Sequence, residues 1–285
     1  MGNEQKIFDP SKMKLLNFDQ YPWHGTESML ACNNAVESLN NALLKRVSLK
    51  GRIHAETLVS AIGCIAGYAT KQATLNRMKI EGIPLEPPEI NIVTIKNKKN
   101  YLYAERINQA FFKDMNAVSG KFSFWGFVSG PALEICGEPA ALPKLEDMFT
   151  HVTEQIATEQ AELSVGDYGQ PFLPPEQLLK ATWPIGAAYL AQKQKIGSTI
   201  VDPPITNYWP IICGCVANGI IYKVKDVLNP SSAYTICMES AIYCSKIISI
   251  EGVDSAPAPQ DQSPSRPQTE KIKPIKASKS FGRRS

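Results

Sequence analysis

The hydrophobic pattern of this chain is densest between Arg52 and Gly82. The centre of that stretch, Leu58 to Ala69, is twelve residues long and contains one plainly polar side chain, Ser60. A helix that is apolar on every side is either buried in a protein or embedded in a membrane. Because a membrane span needs about 20 residues, we interpret this run as a buried central helix.

Apolar residues recur at three-to-four spacing in several further segments, which is typical of helices with one buried face. The first of them runs from Glu27 to about Lys45, with Thr26 as its expected N-cap. Further helices are predicted near residues 104–118, 122–136, 142–160 and 231–249. The glycine- and proline-rich residues 164–175 predict a loop.

Two Trp-Pro pairs, at 183–184 and 209–210, precede apolar runs. Proline is tolerated in the first turn of a helix, so each pair predicts a helix start. The run from 208 to 222 is the most membrane-like part of the chain. As a helix it would rise about 22 Å, against roughly 30 Å of hydrocarbon, so no transmembrane span is expected.

A different pattern follows Pro88, where β-branched residues lead to Ile95 and the turn-forming sequence Asn-Lys-Lys-Asn occupies 97–100. Residues 101–103 can return as a partner strand. The chain is therefore predicted to be all-α, that is, mainly helical. We expect seven to eight helices around the central helix at about 53–80, with one small β-hairpin near 91–103.

The composition divides the chain into three parts. Residues 1–25 show no helical pattern and are predicted to be irregular, whereas residues 26–250 form the helical domain. Residues 251–285 are rich in proline, serine and lysine and poor in large apolar side chains. Such a segment cannot offset its ordering entropy, so we predict a disordered tail.

Charge is distributed unevenly along the chain. The whole chain has a net charge of +3, but residues 266–285 hold seven basic side chains and one acid, a local net of +6. An exposed basic cluster can bind an acidic receptor, an anionic lipid surface or nucleic acid. The side chains expected to make these contacts are Lys271, Lys273, Lys276, Lys279, Arg283 and Arg284.

The N-terminal residues and the cysteines bear on cellular location. The sequence MGNEQKIFDPSKMK has no apolar core of the kind that signal peptides need. The seven cysteines lie mostly in apolar runs, which fits buried reduced thiols. Both observations favour the cytoplasm. The basic tail resembles the export signals of bacterial effectors delivered by type IV secretion, and this resemblance implies export by a non-Sec route.

The triplet His54-Ala55-Glu56 stands at the start of the predicted central helix. It resembles the H-A-E signature of zinc nucleoside and nucleic-acid deaminases, in which the histidine binds zinc and the glutamate shuttles protons. This resemblance implies catalytic roles for His54 and Glu56. The second element of that family, P-C-x-x-C, is missing from this sequence. A pair that caps the helix and complements its dipole is the alternative interpretation.

Asp147, His151 and Glu154 lie at positions i, i+4 and i+7 and therefore share one face of a predicted helix. Together with His54 and Glu56 they could form a carboxylate and imidazole metal site of the helical-bundle kind. The candidate metal ligands are thus His54, His151, Asp147 and Glu154. The Glu-x-x-His repeats of di-iron proteins are absent from the sequence, and a solvated polar face is the alternative.

Neither a nucleophile-elbow motif nor a phosphate-loop motif occurs in the sequence. We therefore expect a non-enzymatic interaction protein, an adaptor or a delivered effector, whose helical body docks a protein partner while the basic tail directs targeting. No cofactor is expected, and the oligomeric state is left open. The alternative is a metal-dependent hydrolase or a deaminase-like enzyme that uses His54 and Glu56.

Overall fold

The protein is mainly helical, as predicted. A computed structural model describes residues 21–49, 51–113, 122–138, 142–166 and 169–250. In chain order, the helices within these ranges are α1 (Met29–Val47), α2 (Ala55–Ile80), α3 (Glu105–Ala110), α4 (Phe124–Cys136), α5 (Leu145–Ala157), α6 (Pro175–Leu190), α7 (Trp209–Val224) and α8 (Pro230–Lys246).

Helix α2 is the centre of the fold, and all twelve residues from Leu58 to Ala69 are buried. It packs most extensively against α8, and then against α7 and α6. The prediction of a buried central helix is confirmed, because the neighbouring helices cover the apolar run on every side. His54 takes the N-cap position, and Glu56 lies in the first turn.

Small residues allow α2 and α8 to approach closely. A Cβ atom built on Gly63 would overlap the carbonyl oxygen of Cys237, and one built on Gly67 would overlap the backbone of Ala241. The hydroxyl groups of Ser60 and Ser240 share a hydrogen bond of 2.8 Å across the same seam. Along this seam, the small residues of α2 let the backbone of α8 come into direct contact with α2.

Three antiparallel hairpins accompany the helices in the described residues. The predicted one pairs β3 (Asn91–Thr94) with β4 (Asn100–Tyr103), with Asn91 opposite Tyr103. Two shorter hairpins were not predicted, namely β1 (Ser48–Leu49) with β2 (Arg52–Ile53) and β5 (Gln194–Ile196) with β6 (Thr199–Val201). Strands of two or three residues are too short to show an alternating pattern.

Two predicted helix starts are wrong in detail. Helix α6 begins at Pro175, so Pro184 lies inside the helix and does not start one. The earlier Pro174-Pro175 pair provides that start, because proline at the first helical position loses no hydrogen bond. At α1, the hydroxyl of Thr26 donates to the carbonyl of Trp23 and does not cap the helix, which begins at Met29.

Within the described residues, no helix is both long enough and apolar enough to cross a membrane. Helix α7, which begins at the Trp209-Pro210 pair as predicted, is largely buried and packs against α1, α2 and α4. The predicted disorder of residues 251–285 and the irregular structure of residues 1–20 lie outside the described residues. The division into three parts stays a prediction.

Candidate functional site

His54 and Glu56 lie next to each other at the start of α2. The Nε2 atom of His54 is 3.2 Å from Oε2 of Glu56, and the two side chains are 27% and 16% exposed. The His54 side chain makes no capping hydrogen bond to the backbone. Glu56 places a carboxylate in the first turn, where the helix dipole favours negative charge.

The other ring nitrogen of His54 connects α2 to the loop before α6. Nδ1 lies 2.9 Å from the hydroxyl oxygen of Thr57, which also accepts a 2.9 Å hydrogen bond from the backbone N–H of Phe172. The rings of His54 and Phe172 stack with centroids 3.8 Å apart. Both ring nitrogens of His54 thus have protein partners, and a metal ion at Nε2 would have to displace Glu56.

The three predicted metal ligands on α5 have different surroundings. Asp147 and Glu154 are exposed to solvent. His151 points towards α8 and the loop after α5, with its Nε2 atom 3.1 Å from the carbonyl oxygen of Glu162 and 3.9 Å from Oε2 of Glu239. In the part of the chain that the structure describes, no three His, Cys, Asp or Glu side chains form a group that could hold a metal ion.

Glu239 is a buried carboxylate that was not among the predicted site residues. It accepts hydrogen bonds from the backbone N–H of Ser164, at 2.8 Å, and from the hydroxyl of the same serine. Burial raises its pKa, against the opposing effects of the hydrogen bonds from Ser164 and of the nearby His151 side chain. These contacts fasten the loop after α5 to α8. A lone acid in the apolar run around it was the available sequence signal.

Lys246, at the end of α8, is also buried. Its Nζ atom donates to the side-chain oxygen of Asn108 and lies 5.2 Å from the ring centroid of Tyr103 and 5.8 Å from that of Phe149. Burial lowers the pKa of Lys246 to about 8. Since its contacts come from α3, α5 and β4, we assign this lysine a structural role.

A groove of about 430 Å³ lies where the helical body meets the chain leading to the basic tail. Three segments line it: residues 98–101 of the predicted hairpin, Glu176 and Lys180 of α6, and residues 247–249 after α8. We call this the lysine groove. Sequence reasoning could not find it, because its lining residues are far apart in the chain.

The lysine groove has a positive balance of charge. The lining contains three lysines, Lys98, Lys99 and Lys180, and one carboxylate, Glu176, which gives it a net charge of +2. The Nζ atoms of Lys99 and Lys180 lie 2.7 and 3.2 Å from oxygens of Glu176. Burial alone would raise the pKa of Glu176, but the hydrogen bonds from these lysines lower it overall. The hydrogen bond between Lys99 and Glu176 also raises the pKa of Lys99.

Local contacts hold the groove residues in place. The tip of the hairpin is fixed by the side chain of Asn97, which accepts from the N–H of Lys99 at 2.9 Å, while Lys98 adopts a positive φ of 65°. On the side of the groove formed by residues 247–249, the buried Nζ atom of Lys71 donates to the carbonyls of Ile247 and Ile248 at 2.5 and 2.9 Å. The groove is thus formed by ordered backbone on both sides.

Two candidate regions in the described chain are the His54–Glu56 pair and the lysine groove. No protein-family model matches the chain, and neither a curated protein nor a solved structure shows significant similarity to it. The predicted contact residues of the tail lie outside the described residues.

Proposed function

We propose that this chain is a non-enzymatic interaction protein, an adaptor or a delivered effector, that holds an acidic segment of a partner protein. The observation that carries the proposal is the position of the lysine groove. It is lined by residues 247–249, and the described chain ends at Ile250, just before the tail. In sequence, the basic tail therefore follows the segment that forms one wall of the groove.

The spacing of the two regions lets them act on one partner. Fifteen residues lie between Ile250 and Arg266, where the segment with a net charge of +6 begins. A chain of that length reaches at most about 55 Å from the groove when it is fully extended. Once one region has bound, the tether raises the effective concentration of the other, and avidity exceeds either affinity alone.

The shape and chemistry of the groove favour an acidic protein segment over a membrane or nucleic acid. The groove is concave, and the half-buried Ile248 offers apolar surface beside the lysines. Glu176 also lies within it, where it would repel closely spaced phosphates. Carboxylates that alternate with other side chains can contact the outer lysines and avoid Glu176.

Binding of a labelled peptide of alternating glutamate and glycine to the full chain tests the proposal, with fluorescence anisotropy as the readout. The double variant Lys98→Glu, Lys180→Glu should bind the peptide at least about tenfold more weakly. The matched control is Lys193→Glu, Lys195→Glu, which makes the same change of charge outside the groove lining. It should bind within about twofold of the unmodified chain.

The outcome separates the possible partners. We call the Lys98→Glu, Lys180→Glu double variant the groove variant. If it binds the peptide as tightly as the unmodified chain does, the proposal is overturned. Vesicles of phosphatidylcholine and phosphatidylserine, and a single-stranded oligonucleotide, are titrated in parallel. If the groove variant loses binding to one of these and not to the peptide, the partner is of that other class and the acidic protein segment is ruled out.

The second candidate function is a metal-dependent hydrolase or deaminase-like enzyme. The observation that favours it is the pair of His54 and Glu56, which lie 3.2 Å apart and are both reached by solvent. Elemental analysis of the chain, prepared with zinc in excess, tests this candidate. Stoichiometric metal that is lost in His54→Ala and kept in His24→Ala supports it. A metal-free protein, or metal kept in both variants, removes it.

A further inference from the structure

Two large apolar side chains lie side by side on the surface just before α6. Phe172 is 69% exposed and Leu173 is 37% exposed. Scattered exposed apolar residues are common and need no explanation. This pair, which we call the apolar tip, differs because Phe172 is held in place by a backbone hydrogen bond and by stacking of its ring.

The apolar tip is fixed to the body on two sides. The N–H of Phe172 donates to Thr57, and the ring of Phe172 stacks on His54. Just before the tip, the side chain of Gln170 bonds both the N–H and the carbonyl of Leu163, at 3.1 and 2.7 Å. An exposed aromatic residue that is already ordered loses little conformational entropy when a partner covers it.

The apolar tip also lies close to the lysine groove. Phe172 precedes Glu176 by four residues, and Glu176 lines the groove. Four residues span at most about 14 Å, so the Cα atoms of Phe172 and Glu176 lie within the length of a short extended peptide. Binding energy at interfaces concentrates in buried aromatic anchors, with charged contacts around them that set orientation and encounter rate.

We infer that the apolar tip is the anchor site for a large apolar side chain in the acidic segment that binds the lysine groove. The inference rests on the proposed function and narrows its partner. The occupant is an acidic peptide segment with one leucine-sized or larger residue a few positions from its carboxylates. The lysines of the groove require carboxylates in the peptide, because their charges are complementary. The exposed ring of Phe172 requires a large apolar side chain.

Two labelled peptides that differ at a single position test this inference. Both alternate glutamate and glycine, and one carries leucine in place of a central glycine. The unmodified chain should bind the leucine peptide at least about fivefold more tightly, because a buried apolar anchor adds binding energy that glycine cannot supply. Phe172→Ala should remove that preference and leave binding of the all-glycine peptide unchanged.

The controls separate the anchor from general effects. Ile200→Ala truncates a residue that is 71% exposed on β6 and should keep the preference. Leu173→Ala, which leaves the stack on His54 in place, should reduce it. Equal binding of the two peptides by the unmodified chain, or a preference that survives in Phe172→Ala, overturns the inference. The proposed function fails separately, by unchanged binding of the all-glycine peptide in the groove variant.

Discussion

Gly67 of α2 lies directly against the backbone of Ala241 in α8, at a distance that leaves no room for a methyl group. The same holds one turn earlier for Gly63 and Cys237. Packed interiors tolerate added atoms poorly, because neighbouring backbone has to move to accept them. The close approach of α2 and α8 therefore depends on glycine at these two positions of α2.

Gly67→Ala should lower the free energy of unfolding by about 1 to 3 kcal/mol or more through overpacking. The matched control is Gly219→Ala in α7, where an added Cβ meets nothing within 4 Å. That change should be neutral or stabilise the chain by up to about 1 kcal/mol, since alanine favours helix over glycine. Urea denaturation measures both, and equal stabilities of the two variants would contradict the close helix contact.

Thr57→Val should loosen the connection between α2 and the apolar tip. The substitution keeps the shape of the side chain but removes the hydroxyl that serves both His54 and the N–H of Phe172. We expect a loss of about 1 to 3 kcal/mol in the free energy of unfolding and faster amide exchange at Phe172. Thr153→Val, on the exposed face of α5, is the control, and a similar exchange rate in both variants would count against the connection.

Lys246 makes a pH-dependent contribution to stability. Its pKa is about 8 in the folded chain, well below the ordinary lysine value of 10.5. Between these two values the unfolded chain binds more protons, so the stability that depends on this group rises with pH. The unmodified chain should gain up to about 3 kcal/mol relative to Lys246→Met over that range.

The measurement for Lys246 is denaturation at several pH values between neutrality and pH 10.5. Lys193→Met serves as the control, because the Lys193 side chain is 70% exposed. The difference in stability between this variant and the unmodified chain should not change over the same range. If the difference for Lys246→Met is equally flat, Lys246 is not desolvated in the folded chain.

The helices were predictable because each is stabilised by a pattern within its own segment. The apolar run at Leu58 marks α2, the Trp209-Pro210 pair marks α7, and the side chain of Asn229 caps α8. Pro184 misled the prediction, since proline inside a helix and proline at its start look alike in sequence. The packing of the surrounding helices decides between them.

The candidate sites were less predictable, because they depend on tertiary contacts. His54 and Glu56 are neighbours in sequence, and their contact in the structure follows from that closeness. The lysine groove joins Lys98, Lys180 and residues 247–249, which no spacing rule connects. The stacking of Phe172 on His54 is likewise a contact between distant segments that composition alone does not show.

The most direct test of the account measures how the basic tail and the lysine groove share one partner. In the full chain, the six tail residues Lys271, Lys273, Lys276, Lys279, Arg283 and Arg284 are replaced by glutamine, and binding of the labelled acidic peptide is measured by anisotropy. We expect an unchanged melting temperature and an affinity at least about tenfold weaker. Peptide binding as tight as that of the unmodified chain would contradict it.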